Sequence, residues 1–230
     1  MNGKIAKSFP DREFTISDFC MEDLESFIQI HFESLFRDSA FSKIYLTERF
    51  KYLINFEDAI TVSVKNDSDK MIGLVYGGPE GYKKQMNKYI MKKILLGLLR
   101  KPNMLFSAEF LYKYKHAINK LSSRFMVVES SAGLALKEKT HVENMPLEPI
   151  ARLTGIAVLK EYSNLGVGRH LLVDYEKAAV QKGYKSIVLE TPAANIDAIM
   201  FYEKLGWISY TNKDAAPDKH CFYKLISKEI

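Results

Sequence analysis

Gly166, Val167 and Gly168 follow an apolar run and open a stretch with helical spacing, a combination that can hold an anion. The leading amides of a helix have no partner inside it, and the aligned peptide dipoles add partial positive charge there. Glycines let the main chain come close to a phosphate. A plain tight turn uses the same residues, so the pattern alone leaves both readings open. A dinucleotide fingerprint needs a third glycine where Leu171 stands. A nucleotide P-loop needs Lys and then Ser or Thr where Arg169 and His170 stand. Neither motif is present. Further on, Tyr202 carries a phenol whose proton, at a pKa of about 10, is still in place at neutral pH. An aromatic packed under a strand is its plain reading. Glu190, in Leu189-Glu190-Thr191, is a carboxylate suited to taking a proton, or a surface acid on an edge strand.

These residues must be held by regular elements. Leu153 to Val158 reads as a strand, with the turn Glu161 to Arg169 after it and a helix to about Lys182. Ser186 to Thr191 reads as a second strand, followed by a short helix from Asn195 to about Leu205 that Gly206 closes. Asn195 suits an N-cap.

In this setting the chain resembles the GNAT superfamily of acyl-CoA-dependent N-acetyltransferases. Ile156-Ala157-Val158 ends the strand as that family's aliphatic-x-Val pattern does, and Ser163-Asn164-Leu165-Gly166-Val167-Gly168 occupies its pyrophosphate loop. Asn195, Ala198, Phe201, Tyr202, Lys204, Gly206 and Trp207 match its second signature. Ser163 stands where the family usually has Arg or Gln, so a hydroxyl replaces the charge an Arg would add, and most phosphate contacts are expected from the backbone amides. The resemblance implies acetyl-CoA as co-substrate, held by Ile156, Ala157, Val158, Ser163, Asn164, Leu165, Gly166, Val167, Gly168, Arg169, Asn195 and Tyr202. It implies that the strand at Ile156 to Val158 splays from the one at Val188 to Thr191. The Val158 amide would then face the thioester carbonyl. It also implies Tyr202 as general acid. The run Leu189-Glu190-Thr191 is similar to the Leu-Glu-Val of the N-terminal protein acetyltransferase branch, which makes Glu190 a candidate base. Glu129, His141 and Glu148 are others. The function implied is direct transfer of an acetyl group to a primary amine in a ternary complex. Protein N-terminal or lysine acetylation, or a non-catalytic acyl-CoA-binding module, are the alternatives.

The rest of the chain fits one α/β domain. Glu13 to Phe19 alternates like an opening strand, and Leu24, Phe27, Ile28, His31 and Leu35 recur at helical spacing. A second helix is expected over Thr47 to Asn55, with Thr47 as N-cap, and a hairpin over Ala59 to Val64 and Met71 to Tyr76. Gly77-Gly78-Pro79 is expected to end the sheet. Tyr82 to about Leu121 reads as two basic amphipathic helices broken at Lys101-Pro102-Asn103. Phe125 to Val128 reads as a short strand and Lys137 to Pro149 as loop. Ile208 to Tyr210 and Cys221 to Ile226 read as closing strands after a polar turn over Lys213 to Lys219. The expected fold is a three-layer α/β sandwich with a mixed, mostly antiparallel central sheet, residues 80–148 a helical insertion, and 150–224 the catalytic half.

The charge is concentrated. Of the net +5, the segment from Glu80 to Arg124 carries +9, leaving −4 on the rest. Such a segment favours an anionic acceptor, an amino sugar for instance, by steering. Its apolar stripe also suits a homodimer interface or contact with a membrane surface. Nucleic acid binding is not expected, because no recognised motif accompanies the charge. Cys20 and Cys221 stand far apart, no Cys and His cluster has metal spacing, and residues 1–12 lack a leader's apolar run. The expectation is a cytoplasmic protein without a metal.

Overall fold

The structure, a computed structural model, describes residues 5–9, 12–34, 40–100, 146–212 and 215–226. Among these residues eight strands form one sheet: β1 (Ile5–Phe9), β2 (Arg12–Ser17), β3 (Ile60–Lys65), β4 (Met71–Pro79), β5 (Ile150–Val158), β6 (Ser186–Pro192), β7 (Ile208–Tyr210) and β8 (Lys219–Leu225). Their order across the sheet is β1-β2-β3-β4-β5-β6-β8-β7. Every pair is antiparallel except β5 with β6. The helices are α1 (Leu24–Ser34), α2 (Ala40–Asn55), α3 (Tyr82–Arg100), α4 (Val167–Gln181) and α5 (Ile196–Lys204). This is the mixed α/β sandwich expected. The sequence did not foresee β1, whose five residues include only two strongly apolar ones, Ile5 and Phe9.

Strand alternation separates the two faces of the sheet. On β4, a Cβ at Gly73 would meet Leu171 and Val167 of α4, and one at Gly77 would meet the Tyr175 hydroxyl. Tyr76 points the other way, into α1. Its ring lies 5.8 Å from Phe27 and 6.4 Å from Phe19, with Phe50 of α2 at 4.9 Å from Phe27. These rings are buried, and each contributes on the order of 1.5–3 kcal/mol by leaving water.

Three expectations need correction. β4 runs through Gly77, Gly78 and Pro79 instead of stopping before them. The glycines are needed for close approach: a Cβ at Gly77 would stand 2.1 Å from the Arg152 carbonyl, and one at Gly78 would stand 3.2 Å from the Tyr82 ring. Pro79 stands at the strand's last position, where a missing N–H costs least. α2 begins at Ala40, so Thr47 is interior and not a cap. Lys219, expected in the polar turn, opens β8 opposite Pro192. The first basic helix is α3. Its expected partner helix, the strand at 125–128 and the loop to residue 145 lie outside the described residues.

Two helices end in the same device, and it positions the later site. After α4, Gly183 at φ 84° lets its amide reach Val180 O at 2.9 Å and the Tyr184 amide reach Ala179 O at 3.1 Å. After α5, Gly206 at φ 78° does the same, with Gly206 N to Glu203 O at 2.9 Å and Trp207 N to Tyr202 O at 3.1 Å. Both are Schellman caps, which bring the residue after the glycine onto the last turn. Lys224 of β8 then joins α4 to the end of α5, donating to Glu176 at 2.8 Å and to the Leu205 carbonyl at 3.1 Å.

Candidate active site

β5 and β6 pair only at Ile150–Ser186, Ala151–Ile187 and Arg152–Val188, and part beyond that rung. β5 also carries a bulge. Gly155 lies opposite Tyr76 and Leu153 opposite Gly77, so Thr154 has no partner in β4. An extra residue in one strand bends it, and the bend coincides with the parting. The result is a V whose vertex lies between Arg152 and Val188. The Leu159 amide bonds back to Ile72 O at 2.9 Å. Alternation of backbone groups therefore turns the Ile156 and Val158 amides away from β4, into the opening.

The turn after β5 leads to the other end of the opening. Lys160–Tyr162 form a 3₁₀ turn, Asn164 takes φ 63°, and Gly166 caps α4 at φ 81°. Positive φ is costly for a β-carbon, so Gly166 suits this position where most residues do not. The first α4 bond runs from the His170 amide to Gly166 O at 3.1 Å, leaving the Val167, Gly168 and Arg169 amides without intrahelical acceptors. Ser163, Asn164, Leu165, Gly166 and Arg169 are exposed, whereas Val167 is buried. The Ser163 hydroxyl turns back to Leu159 O at 3.5 Å, a marginal bond. A Cβ on Gly168 would sit 3.4 Å from the Phe201 ring, so the start of α4 abuts α5.

Tyr202 and Glu190 lie on opposite faces of the sheet at β6. Tyr202 packs at 5.6 Å from Phe222, which pairs with Leu189, and at 5.7 Å from Trp207, where the Schellman cap brings that indole. Burial pushes its phenol up to about 12. Asn195 caps the same helix, its side chain accepting from the Ala198 amide at 3.2 Å. Glu190 alternates with Leu189 and so points to the other face, alongside Arg152. The Arg152 guanidinium donates to Glu190 Oε1 at 3.0 Å and grips both Glu80 oxygens at 2.8 Å. Burial opposes the charge of Arg152, but the Glu80 bonds and the two carboxylates outweigh it and raise its pKa.

Other groups share that face. Lys83 of α3 has its amine lowered, by desolvation first and then by Arg152, Arg49 and Lys219, against the raising effect of Glu190. Tyr210 of β7, paired with Cys221 as Glu190 is, is pushed up to about 12 by burial first and then by Cys221, with the Glu80 and Glu190 carboxylates adding to it. A cavity of about 400 Å³ opens beside Tyr210 and Cys221, with Lys219 and His220 in its wall.

The predicted residues thus fall on the edge of β5, the start of α4, the two ends of α5 (Asn195 at its start, Tyr202 in its last turn) and the tip of β6. Of the other candidate bases, Glu148 accepts from the Ile150 amide at 3.2 Å and fixes the start of β5. Glu129 and His141 lie outside the described residues. Arg152, Glu80, Lys83 and Tyr210 were not foreseen. Arg152 alternates with the buried Ala151 and Leu153, which marks a strand, but nothing in the sequence gives the register that sets it beside Glu190. Among the described residues no helix is long and apolar enough to cross a membrane, and no group of three His, Cys, Asp or Glu could hold a metal.

Residues 106–207 match the family model described as Acetyltransferase (GNAT) family. Among solved structures, Ard1 from Thermoplasma volcanium is 14% identical with a TM-score of 0.54, covering 94% of this chain and 99% of its own. The ribosomal-protein-S18-alanine N-acetyltransferase from Escherichia coli is 17% identical with a TM-score of 0.51, covering 93% and 94%. NAA60 from Arabidopsis thaliana in complex with acetyl-CoA is 14% identical with a TM-score of 0.53, covering 93% and 98%. At these identities the likeness is one of fold. No curated protein matches the sequence.

Proposed function

We infer, from the match of residues 106–207 to a GNAT family model and from the fold shared with solved acetyltransferases, an acetyl-CoA-dependent N-acetyltransferase that acetylates a primary amine by direct attack in a ternary complex. The observation that carries this reading is the parting of β5 and β6 after Arg152–Val188, with Tyr202 and Glu190 on opposite faces of the sheet at β6. The residues fit acetyl-CoA: free amides at the start of α4 suit a pyrophosphate, and the unpaired β5 edge suits the amide-bearing pantetheine arm. When bound, the thioester supplies an acetyl group activated for transfer.

The chain's own residues then divide the work. The Val167, Gly168 and Arg169 amides hold the phosphates, while Ser163 adds little. The Ile156 and Val158 amides orient the arm, and Val158 N–H meets charge developing on the carbonyl oxygen. Glu190, held by Arg152 through Oε1, takes a proton from the attacking amine. As the C–N bond forms and the C–S bond breaks, Tyr202 gives its proton to the departing sulfur. A phenol held near 12 keeps that proton throughout the neutral range.

The acceptor approaches from the Glu190 face, bounded by α2, α3 and the β7–β8 hairpin. Among the structural neighbours, the N-acetyltransferase from Escherichia coli is named for an alanine of ribosomal protein S18. The basic character of α3 favours an acceptor that also carries negative charge. A thiol-release assay over amino sugars, amino acids, polyamines and peptide N-termini tests the activity. Release matched by acetylated amine supports it. Acetyl-CoA binding with no release on any amine supports a non-catalytic module instead.

A further inference from the structure

We propose that Arg49, Tyr82 and Thr154 form the receptor for an anionic group, carboxylate or phosphate, on the acceptor amine. The proposal rests on the acetyltransferase reading and names the acceptor's second functional group.

Arg49 of α2 is a cation with neutral partners. Its Nη1 donates to the Tyr76 hydroxyl at 2.9 Å and its Nη2 to the Tyr45 hydroxyl at 2.6 Å, and the guanidinium lies 4.7 Å from the Tyr45 ring centroid. No carboxylate among the described residues pairs with it. Tyr76 cannot neutralise it either. Its hydroxyl lies 3.1 Å from His31 Nε2, whose Nδ1 lies 2.8 Å from Phe27 O. That chain runs donor to acceptor from Arg49 through Tyr76 and His31 to a backbone carbonyl, with the imidazole neutral. Burial first, and Arg49 with it, lowers His31 to about 4, against the raising bond to Phe27 O. A charge withdrawn from water without a counter-ion is expensive. An arginine kept so is suited to an anion that arrives from outside.

Three buried polar atoms lack partners around it: Arg49 Nε, the Tyr82 hydroxyl and the Thr154 hydroxyl. All three are donors. The Tyr82 and Thr154 hydroxyls feel one another without a bond of standard geometry, and Tyr82 also feels Arg49. Even a mutual bond would leave one of the two protons unused. Buried donors without acceptors are rare in folded proteins, and an anionic oxygen answers all of them.

Their place is the acceptor side of the vertex. Thr154 is the bulged residue of β5, two positions after Arg152. A Cβ on Gly155 would lie 2.7 Å from the Tyr76 hydroxyl that Arg49 grips. Tyr82 packs on Gly78, which pairs with Arg152. Lys83, next to Tyr82, feels both Arg49 and Glu190. The anion site and the base thus share one face and one wall. An amine bound between them has its charge held by Arg49 while its nitrogen meets Glu190.

The test compares kcat/KM on matched amines that differ only in the anionic group: an α-amino acid with its amide, and a hexosamine 6-phosphate with the hexosamine. Wild type should favour the anionic member of at least one pair about tenfold or more, as a charge-assisted bond is worth. Which pair shows it separates carboxylate from phosphate. In Tyr82→Phe, which keeps the ring, and in Arg49→Gln, the ratio should fall towards one. A wild-type ratio near one in both pairs, or a ratio untouched in Tyr82→Phe, overturns the proposal. If no amine is acetylated the enzyme reading fails, and binding decides this one. Inorganic phosphate or acetate, at matched ionic strength, should raise the Tm of the coenzyme A-bound wild type and leave that of Arg49→Gln unmoved. Equal shifts in both overturn it.

Discussion

Arg152 donates to Glu190 across the last rung that β5 and β6 share, at 3.0 Å, while its other edge grips Glu80. One guanidinium thus serves two carboxylates with different prospects. Glu80 spends both oxygens on Arg152. Among the described residues no donor takes Glu190 Oε2, the oxygen proposed to meet the amine.

That difference is testable. Glu190→Gln should lower kcat roughly 10²-fold, the low end of what a positioned base supplies, with the KM for acetyl-CoA little changed. Glu80→Gln removes the same charge from Arg152 but no base, and should cost less than about tenfold. Equal losses in the two variants would mean that the cluster is only structural. Steady-state kinetics on the best amine decide it.

Tyr202→Phe should reduce kcat strongly and leave acetyl-CoA affinity almost intact, because the ring still fills its place between Phe222 and Trp207. Titration of coenzyme A by calorimetry provides the second readout. Unchanged turnover would remove Tyr202 from the chemistry.

Stability should depend on pH through His31. Its folded pKa of about 4 lies below the ordinary histidine value of 6.5, so between those values the unfolded chain binds the proton first. The contribution is fully present above pH 6.5 and is lost as pH falls to 4, about 3 kcal/mol in all. Urea unfolding at pH 7 and pH 4.5 measures it. His31→Asn should be less stable at pH 7 and show a flatter dependence.

Gly155→Ala should destabilise the fold by about 1–3 kcal/mol, the usual cost of overpacking. The new Cβ would stand 2.6 Å from a Tyr76 ring that Arg49 and His31 hold in place. Thermal unfolding checks this, and an unchanged midpoint would show that the ring can move.

The turn and caps around the opening were legible in the sequence because local rules govern them. Gly166 is required by a positive φ, Asn195 by a cap, and Gly206-Trp207 by a Schellman motif, each decided within a few residues. The face that carries Arg152 and Glu190 was not legible because register decides it. Arg152 meets Glu190 only because β5 and β6 pair at three rungs, and Gly77 and Gly78 continue β4 only because Tyr175 and Tyr82 lie against them. Arg49 was missed for the same reason, since nothing near it in the chain says that a strand tyrosine from β4 will receive it.

The central claim is acetyl transfer to an amine at this opening. The most direct measurement is thiol release from acetyl-CoA with the acetylated amine quantified by mass, across the amine panel, for wild type and Glu190→Gln. Wild type should yield one acetylated amine per thiol, and the variant a rate lowered roughly 10²-fold. Saturable acetyl-CoA binding with no acetylated product from any amine would contradict it.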